Sequence, residues 1–138
     1  MSRASFKLLN LRNFVETKGK LTVIEGVKDI PFEIKRVYFI YDVPLGESRG
    51  AHAHRKLDQF MLCLSGSFEV RADDGNEKKT FELQEPYEGL YIPKLVWTEM
   101  DNFSAGSVCL IMASEFYDES DYIRNYDEFL KITKDMIS

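Results

Sequence analysis

Ile34-Lys35-Arg36-Val37-Tyr38-Phe39-Ile40-Tyr41 is dense in β-branched and aromatic residues, the types that fit a pleated surface. Its alternation assigns two faces: Val37, Phe39 and Tyr41 share one, while Arg36, Tyr38 and Ile40 share the other. Pro31 interrupts the chain before it, and Pro44 with Gly46 ends it, so the stretch predicts one strand. The pattern repeats outward in both directions. On the N-terminal side, residues 6–9 and 21–24 lie either side of a turn at Thr17-Lys18-Gly19-Lys20. On the C-terminal side, 60–64, 67–71, 80–83, 89–92, 97–103 and 108–113 follow, parted by Ser65-Gly66, Asp73-Asp74-Gly75-Asn76, Pro86, Pro93 and Ser104-Ala105-Gly106-Ser107. The Asp-Gly pair is a hairpin signal because it reaches positive φ cheaply. Short strands at such even spacing predict an all-β, antiparallel sandwich or barrel. Only the C-terminus changes period. Asn125 can cap a helix, Glu128 completes a capping box, and Phe129, Ile132 and Met136 fall on one side. That helix is expected to pack on the outside of the β body.

The chain has 138 residues, 44% hydrophobic and 13% aromatic, which fits a single domain over 1–138 with a proper core. A net charge of -5 argues against nucleic acid as a partner, since that needs a basic face. No apolar run approaches a membrane span, and the N-terminus lacks the apolar core of a signal peptide. Cys63 and Cys109 each sit in an apolar run, as reduced core cysteines do, so the expected setting is cytoplasmic.

The chemistry concentrates in Arg49-Gly50-Ala51-His52-Ala53-His54-Arg55-Lys56-Leu57-Asp58-Gln59, which holds both histidines of the chain. Two apart on an extended backbone, the imidazoles look the same way. They suit either a metal or proton transfer. Strand-borne His-x-His, an acidic residue four further on, and a later proline followed by a histidine make the outline of the cupin motifs. His52, His54 and Asp58 match its first half, but the expected last histidine is Thr98. A hydroxyl is a poor ligand for iron, zinc or manganese, so a metal-free site is expected, with a two-His, one-carboxylate site using Asp58, as in a metal-dependent dioxygenase, as the alternative. Acid/base work asks only for a group titrating near the working pH within reach of the substrate. His54 is the expected principal base, with His52 assisting and Tyr38 as hydrogen-bond partner. Arg36 and Arg49 offer charge for a diphosphate. Trp97 either stacks on a ligand ring or fills the barrel. Gln59, Thr98, Glu99 and Lys18 complete the expected substrate contacts, and the acidic run 115–121 reads as a solvated approach to the helix.

Four motifs in order carry a resemblance to a known family. They are Pro31-Phe32-x-Ile34-Lys35-Arg36-Val37-Tyr38, then Arg49-Gly50-x-His52-x-His54-x-Lys56, and Gly89-Leu90-Tyr91 leading to Val96-Trp97. The last is Tyr117-Asp118-Glu119-x-Asp121-Tyr122-Ile123-Arg124-x-Tyr126-Asp127. Together they resemble the dTDP-4-keto-6-deoxyhexose 3,4-ketoisomerases, small cupins of the WxcM-like type. The resemblance implies an antiparallel jelly-roll (cupin) barrel with a C-terminal α-helix, a homodimer, and no cofactor. It implies a dTDP-linked 4-keto-6-deoxyhexose as substrate, with the keto group moved from C4 to C3 for 3-amino-3,6-dideoxyhexose biosynthesis. It also carries the family's catalytic roles onto His52, His54 and Tyr38. A galacto-configured product is the expectation, with Lys18 and Thr98 at the sugar end of the pocket. The competing readings are a dTDP-sugar epimerase, which wants a carboxylate paired to its histidine, and a non-catalytic nucleotide-sugar-binding cupin.

Overall fold

The computed structural model describes residues 6–137. In chain order the strands are β1 (Lys7–Asn10), β2 (Arg12–Glu16), β3 (Gly19–Val23), β4 (Arg36–Tyr41), β5 (Arg49–His54) and β6 (Gln59–Ser65). There follow β7 (Phe68–Asp73), β8 (Lys78–Leu83), β9 (Glu88–Ile92), β10 (Trp97–Asp101), β11 (Val108–Ala113) and β12 (Tyr122–Ile123), then the helix α1 (Tyr126–Ile137). Two five-stranded antiparallel sheets result, ordered β1-β9-β6-β11-β4 and β12-β5-β10-β7-β8, while among the described residues β2 and β3 pair only with each other. The all-β architecture with one C-terminal helix agrees with the expectation from strand spacing.

The main core fills the space between the two sheets. Phe68, Val70 and Met100 from one sheet meet Met61, Leu90, Cys109 and Ile111 from the other. Each large side chain fully buried in this way is worth about 1.5–3 kcal/mol of transfer free energy. The alternation expected in β4 holds. Val37, Phe39 and Tyr41 are exposed, while Tyr38 and Ile40 pack on the core. Among the described residues no strand follows beyond β4, so one long edge of its sheet stays open there. Cys63 and Cys109 prove to be cross-strand neighbours on β6 and β11, both buried and both free thiols.

The outer face of the second sheet carries α1. Ala53, Leu95, Trp97, Ile123 and Phe129 form a separate apolar cluster there. The helix begins where expected, with Asn125 Oδ1 accepting from the Glu128 N–H at 2.9 Å. The return half of the capping box is missing, because the Glu128 carboxylate pairs instead with Arg55 at 2.8 Å. Met136 is exposed rather than on the packed side, and Thr133 is buried in its place. Thr133 fits because it lies against Gly75, at φ +94 in the hairpin, where no side chain stands in the way. None of the described helices is long and apolar enough to cross a membrane.

Candidate active site

A cavity of about 420 Å³ opens between the two sheets. Its apolar floor is Met61, Met100 and Ile111, side chains that also belong to the core. Tyr38, His52, Gln59, Thr98 and Tyr122 form polar walls, and Ser48, Arg49 and Arg124 stand at the exposed rim. The walls come from β4, β5, β6, β10 and β12, so both sheets contribute. Period-two geometry explains the selection. On β5, His52 and His54 share the inner face while Ala53 faces the helix. Gly50, at φ +90, allows the start of β5 to run close to β10, since an added Cβ would lie 3.0 Å from the Thr98 carbonyl oxygen.

The two imidazoles differ in setting. Their ring centroids are 5.1 Å apart and nearly perpendicular. His52 lines the cavity, and its buried Nδ1 has no well-aligned partner among the described residues. Burial holds His52 below the ordinary histidine value, against the Gly50 backbone; the charge of Arg124 lowers it further and that of Glu119 opposes. His54 lies deeper, 4% exposed, and does not line the cavity. Its Nδ1 faces Asp121 Oδ2 at 3.1 Å, and Asp121 Oδ1 accepts from the Lys56 N–H at 2.7 Å. Burial, reinforced by His52, holds His54 well below the ordinary histidine value despite that carboxylate. Near neutral pH the pair is therefore a neutral imidazole N–H donating to a carboxylate, not an ion pair.

On the far side of His54, Gln59 Nε2 stands 3.5 Å from His54 Nε2 and donates to the Tyr38 hydroxyl at 3.0 Å. Burial pushes Tyr38 up to about 12, with Tyr122 adding and Arg36 opposing. Tyr38 is thus a proton donor, not a base, at any ordinary pH.

The structure gathers His52, Tyr38, Gln59, Thr98 and Arg49 around one cavity, as expected, with His54 immediately behind. Four expected contacts lie elsewhere. Trp97 and Glu99 flank Thr98 on β10 and so point to the opposite face, where they line a separate concavity of about 390 Å³ beside Tyr126. Lys18 is exposed at the tip of the β2–β3 ribbon and is not among the cavity residues. Arg36 is stacked between the rings of Tyr38 and Tyr117, 4.8 and 5.5 Å from their centroids, and backs the wall rather than lining it.

Three residues of the site were in the quoted C-terminal motif without an assigned role: Asp121, Tyr122 and Arg124. The two-residue strand β12 pairs Tyr122 with His54, which puts the Tyr122 ring 4.4 Å from one imidazole and 5.0 Å from the other. Arg124 lies over Tyr122 at 4.3 Å and is paired with Glu119. The run 115–121 is therefore only partly solvated, because its last carboxylate is the buried partner of His54. Asp58, the acidic residue of the cupin outline, instead accepts from the Lys94 N–H at 2.8 Å. Among the described residues no three His, Cys, Asp or Glu side chains are grouped to hold a metal ion.

The chain is 48% identical over 125 residues to the TDP-4-oxo-6-deoxy-alpha-D-glucose-3,4-oxoisomerase of Aneurinibacillus thermoaerophilus, covering 91% of this chain and 90% of that protein. It is similar to the 3,4-ketoisomerase QdtA of Thermoanaerobacterium thermosaccharolyticum, solved as a histidine-to-asparagine mutant in complex with TDP-4-keto-6-deoxyglucose. The TM-score is 0.92 at 46% identity, over 97% of each chain. The WlaRB TDP-quinovose 3,4-ketoisomerase of Campylobacter jejuni is 48% identical, with a TM-score of 0.88 over 91% of this chain and 97% of that one. The family model described as FdtA: WxcM-like, C-terminal matches residues 4–134, and the chain belongs to that family.

Proposed function

We propose that the protein is a TDP-4-keto-6-deoxyglucose 3,4-ketoisomerase. The observation that carries this reading is the placing of a neutral, cavity-facing imidazole and a protonated phenol on the walls of one ligand-sized space. The names of the similar proteins supply the substrate. His52 takes the proton from C3, α to the C4 carbonyl, and the electrons of that bond form an enediolate. Tyr38 donates to the oxygen that gains charge, as a preorganised donor should. The same imidazole returns the proton to C4, which lies one bond away, while the hydroxyl proton of O3 passes to O4. The C3 oxygen becomes the carbonyl. Oxidation level is unchanged across the two carbons, so the reaction needs no redox partner.

This division of labour differs from the expectation that His54 is the principal base. His54 is the better-buried ring with both nitrogens engaged, whereas His52 presents itself to the cavity. Arg49 and Arg124 at the rim are placed to meet the diphosphate.

One observation favours a second reading. An epimerase wants a carboxylate paired to its histidine, and Asp121 supplies one to His54. Incubation with TDP-4-keto-6-deoxyglucose in D2O separates the two. The ketoisomerase exchanges at C3 and C4 and produces the 3-keto sugar. Exchange at C5 with inversion identifies an epimerase, and binding with no exchange at all identifies a nucleotide-sugar-binding protein. A parallel incubation in H2O, which keeps a proton at C4, reports the C4 configuration, for which galacto is the proposed outcome. Galacto requires a small H4–H5 coupling and gluco a large one.

The proposed assembly is a homodimer acting in the cytoplasm. Support comes from the open edge of β4 with exposed Val37, Phe39 and Tyr41, and from the ribbon β2–β3 with exposed Phe14, Val15 and Leu21. An unpaired edge beside exposed apolar side chains suits strand pairing with a second copy. Light scattering at micromolar concentration is expected to give about twice the chain mass, and a monomer mass would reject the dimer.

A further inference from the structure

Gln59 opens β6, is 3% exposed, and stands between the two groups that the Tyr38–His54 wall depends on. Its amide nitrogen has two protons. One goes to the Tyr38 oxygen at 3.0 Å, and the other points at His54 Nε2 at 3.5 Å, the long end of a hydrogen bond. Which end of a glutamine amide is nitrogen must be settled by the network around it. Here the network settles it. The Asp121 carboxylate only accepts, and it already takes the Lys56 N–H, so the proton of neutral His54 sits on Nδ1. Nε2 then carries a lone pair and requires a donor, which fixes the Gln59 nitrogen toward it. The second N–H follows to Tyr38. A phenol oxygen that accepts from inside the wall is left to donate outward, and outward is the cavity.

We propose that Gln59 is a positioning residue that fixes the direction of the chain Asp121–His54–Gln59–Tyr38, so that Tyr38 presents its proton, rather than a lone pair, to the ligand oxygen. The proposal rests on the ketoisomerase reading for its catalytic consequence, but the bond direction itself does not. It also makes the wall reversible. A proton added at His54 Nε2 would oppose the Gln59 N–H, and the relief is a half-turn of the amide. The amide oxygen would then accept from both His54 and Tyr38, withdrawing the phenol proton from the ligand. The charged and titratable groups around His54 that bias this are His52 on its own strand, Asp121 before β12, Tyr122 on β12, and Arg36 and Tyr38 on β4. Burial and the neighbouring His52 keep the added proton away until the solution is distinctly acid.

The test combines turnover with a measurement that needs none. Because the chain has two histidines, their ring nitrogens are readily assigned by 15N NMR. Wild-type protein at pH 7.5 is expected to show His54 as the neutral Nδ1–H tautomer; an Nε2–H tautomer overturns the bond direction. In Gln59→Glu, whose carboxylate only accepts, His54 is expected to be protonated at that pH. The kcat is expected to fall about 10- to 100-fold, with KM within threefold. Adding Tyr38→Phe to Gln59→Glu is expected to cost little more, because the phenol has already turned inward. Unchanged kcat in Gln59→Glu, or losses that multiply in full, overturns the positioning role. If wild-type protein does not convert the TDP sugar, the functional reading fails alone, and the tautomer still decides the bond direction. That readout on unaltered protein also stands if Gln59→Glu does not fold.

Discussion

His52→Asn is expected to lower kcat for TDP-4-keto-6-deoxyglucose by about 10²–10⁴, the usual contribution of a positioned acid/base. Asparagine keeps much of the imidazole's shape and its polarity but cannot cycle a proton at neutral pH. Since His52 is one wall residue among several, substrate still finds Tyr38, Thr98 and the rim arginines, and KM should stay within a few-fold. Solvent deuterium should no longer enter C3 or C4, which shows that the lost step is proton transfer rather than release. The wild-type pH profile carries the same assignment. The base must be neutral, and burial holds His52 below the ordinary value of 6.5, so the acid limb should lie below that value. From about pH 7 to 9 the rate should be flat, because Tyr38 keeps its proton to about 12. Stopped-flow or coupled assays on the two proteins measure this directly. Turnover of His52→Asn within tenfold of wild type would return the base role to His54.

Asp121→Ala is expected to remove about 2–5 kcal/mol of folding stability, a large share of the roughly 5–15 kcal/mol that a domain of this size has. The carboxylate accepts from the Lys56 N–H and from His54 Nδ1, and it is itself buried. Alanine leaves both donors without a partner where water has little access, and each such group costs about 1–3 kcal/mol. Asp121→Asn separates stability from chemistry. Its side-chain oxygen can keep the Lys56 bond, but its NH2 would confront His54 Nδ1. The ring must then move its proton to Nε2, where it meets the Gln59 N–H. Asparagine should therefore cost little in denaturant midpoint yet lower kcat by tenfold or more. Urea titrations and steady-state rates decide both halves. An alanine variant within 1 kcal/mol of wild type would show that Asp121 does not hold this corner together.

Much of this was legible in the amino-acid order. The alternation in residues 34–41 was enough to separate the exposed Val37, Phe39 and Tyr41 from the inward Tyr38 and Ile40. The His-x-His spacing similarly put both rings on one side of β5. Period two, applied as strictly to β10, would have removed Trp97 and Glu99 from the pocket once Thr98 was placed in it. That misplacement came from grouping neighbours in sequence rather than alternate residues. Asp121 was hidden for a different reason. It ends a run of acidic residues that looks solvated, and only a two-residue strand folding back onto β5, 67 residues away from His54, turns its side chain inward. A strand that short has no periodicity to detect. The helix face was half right for a similar reason, since Thr133 is buried by the vacancy at Gly75 rather than by its own hydrophobicity.

The floor of the cavity has a bearing on how such a protein can change its diet. Met61, Met100 and Ile111 seat the ligand and at the same time plug the sandwich. Widening the seat for a bulkier sugar by cutting one of them to alanine would cost about 2–5 kcal/mol, which few domains can lose and remain folded. The rim carries less of that debt, because Ser48 and Arg49 are exposed and the Arg124 contacts, to Tyr122 and Glu119, lie at the surface. Variation that retunes the sugar should therefore collect at the mouth and at Thr98, while the floor stays fixed across sequences that differ widely elsewhere. Selection experiments for new substrates would do best to leave the floor alone.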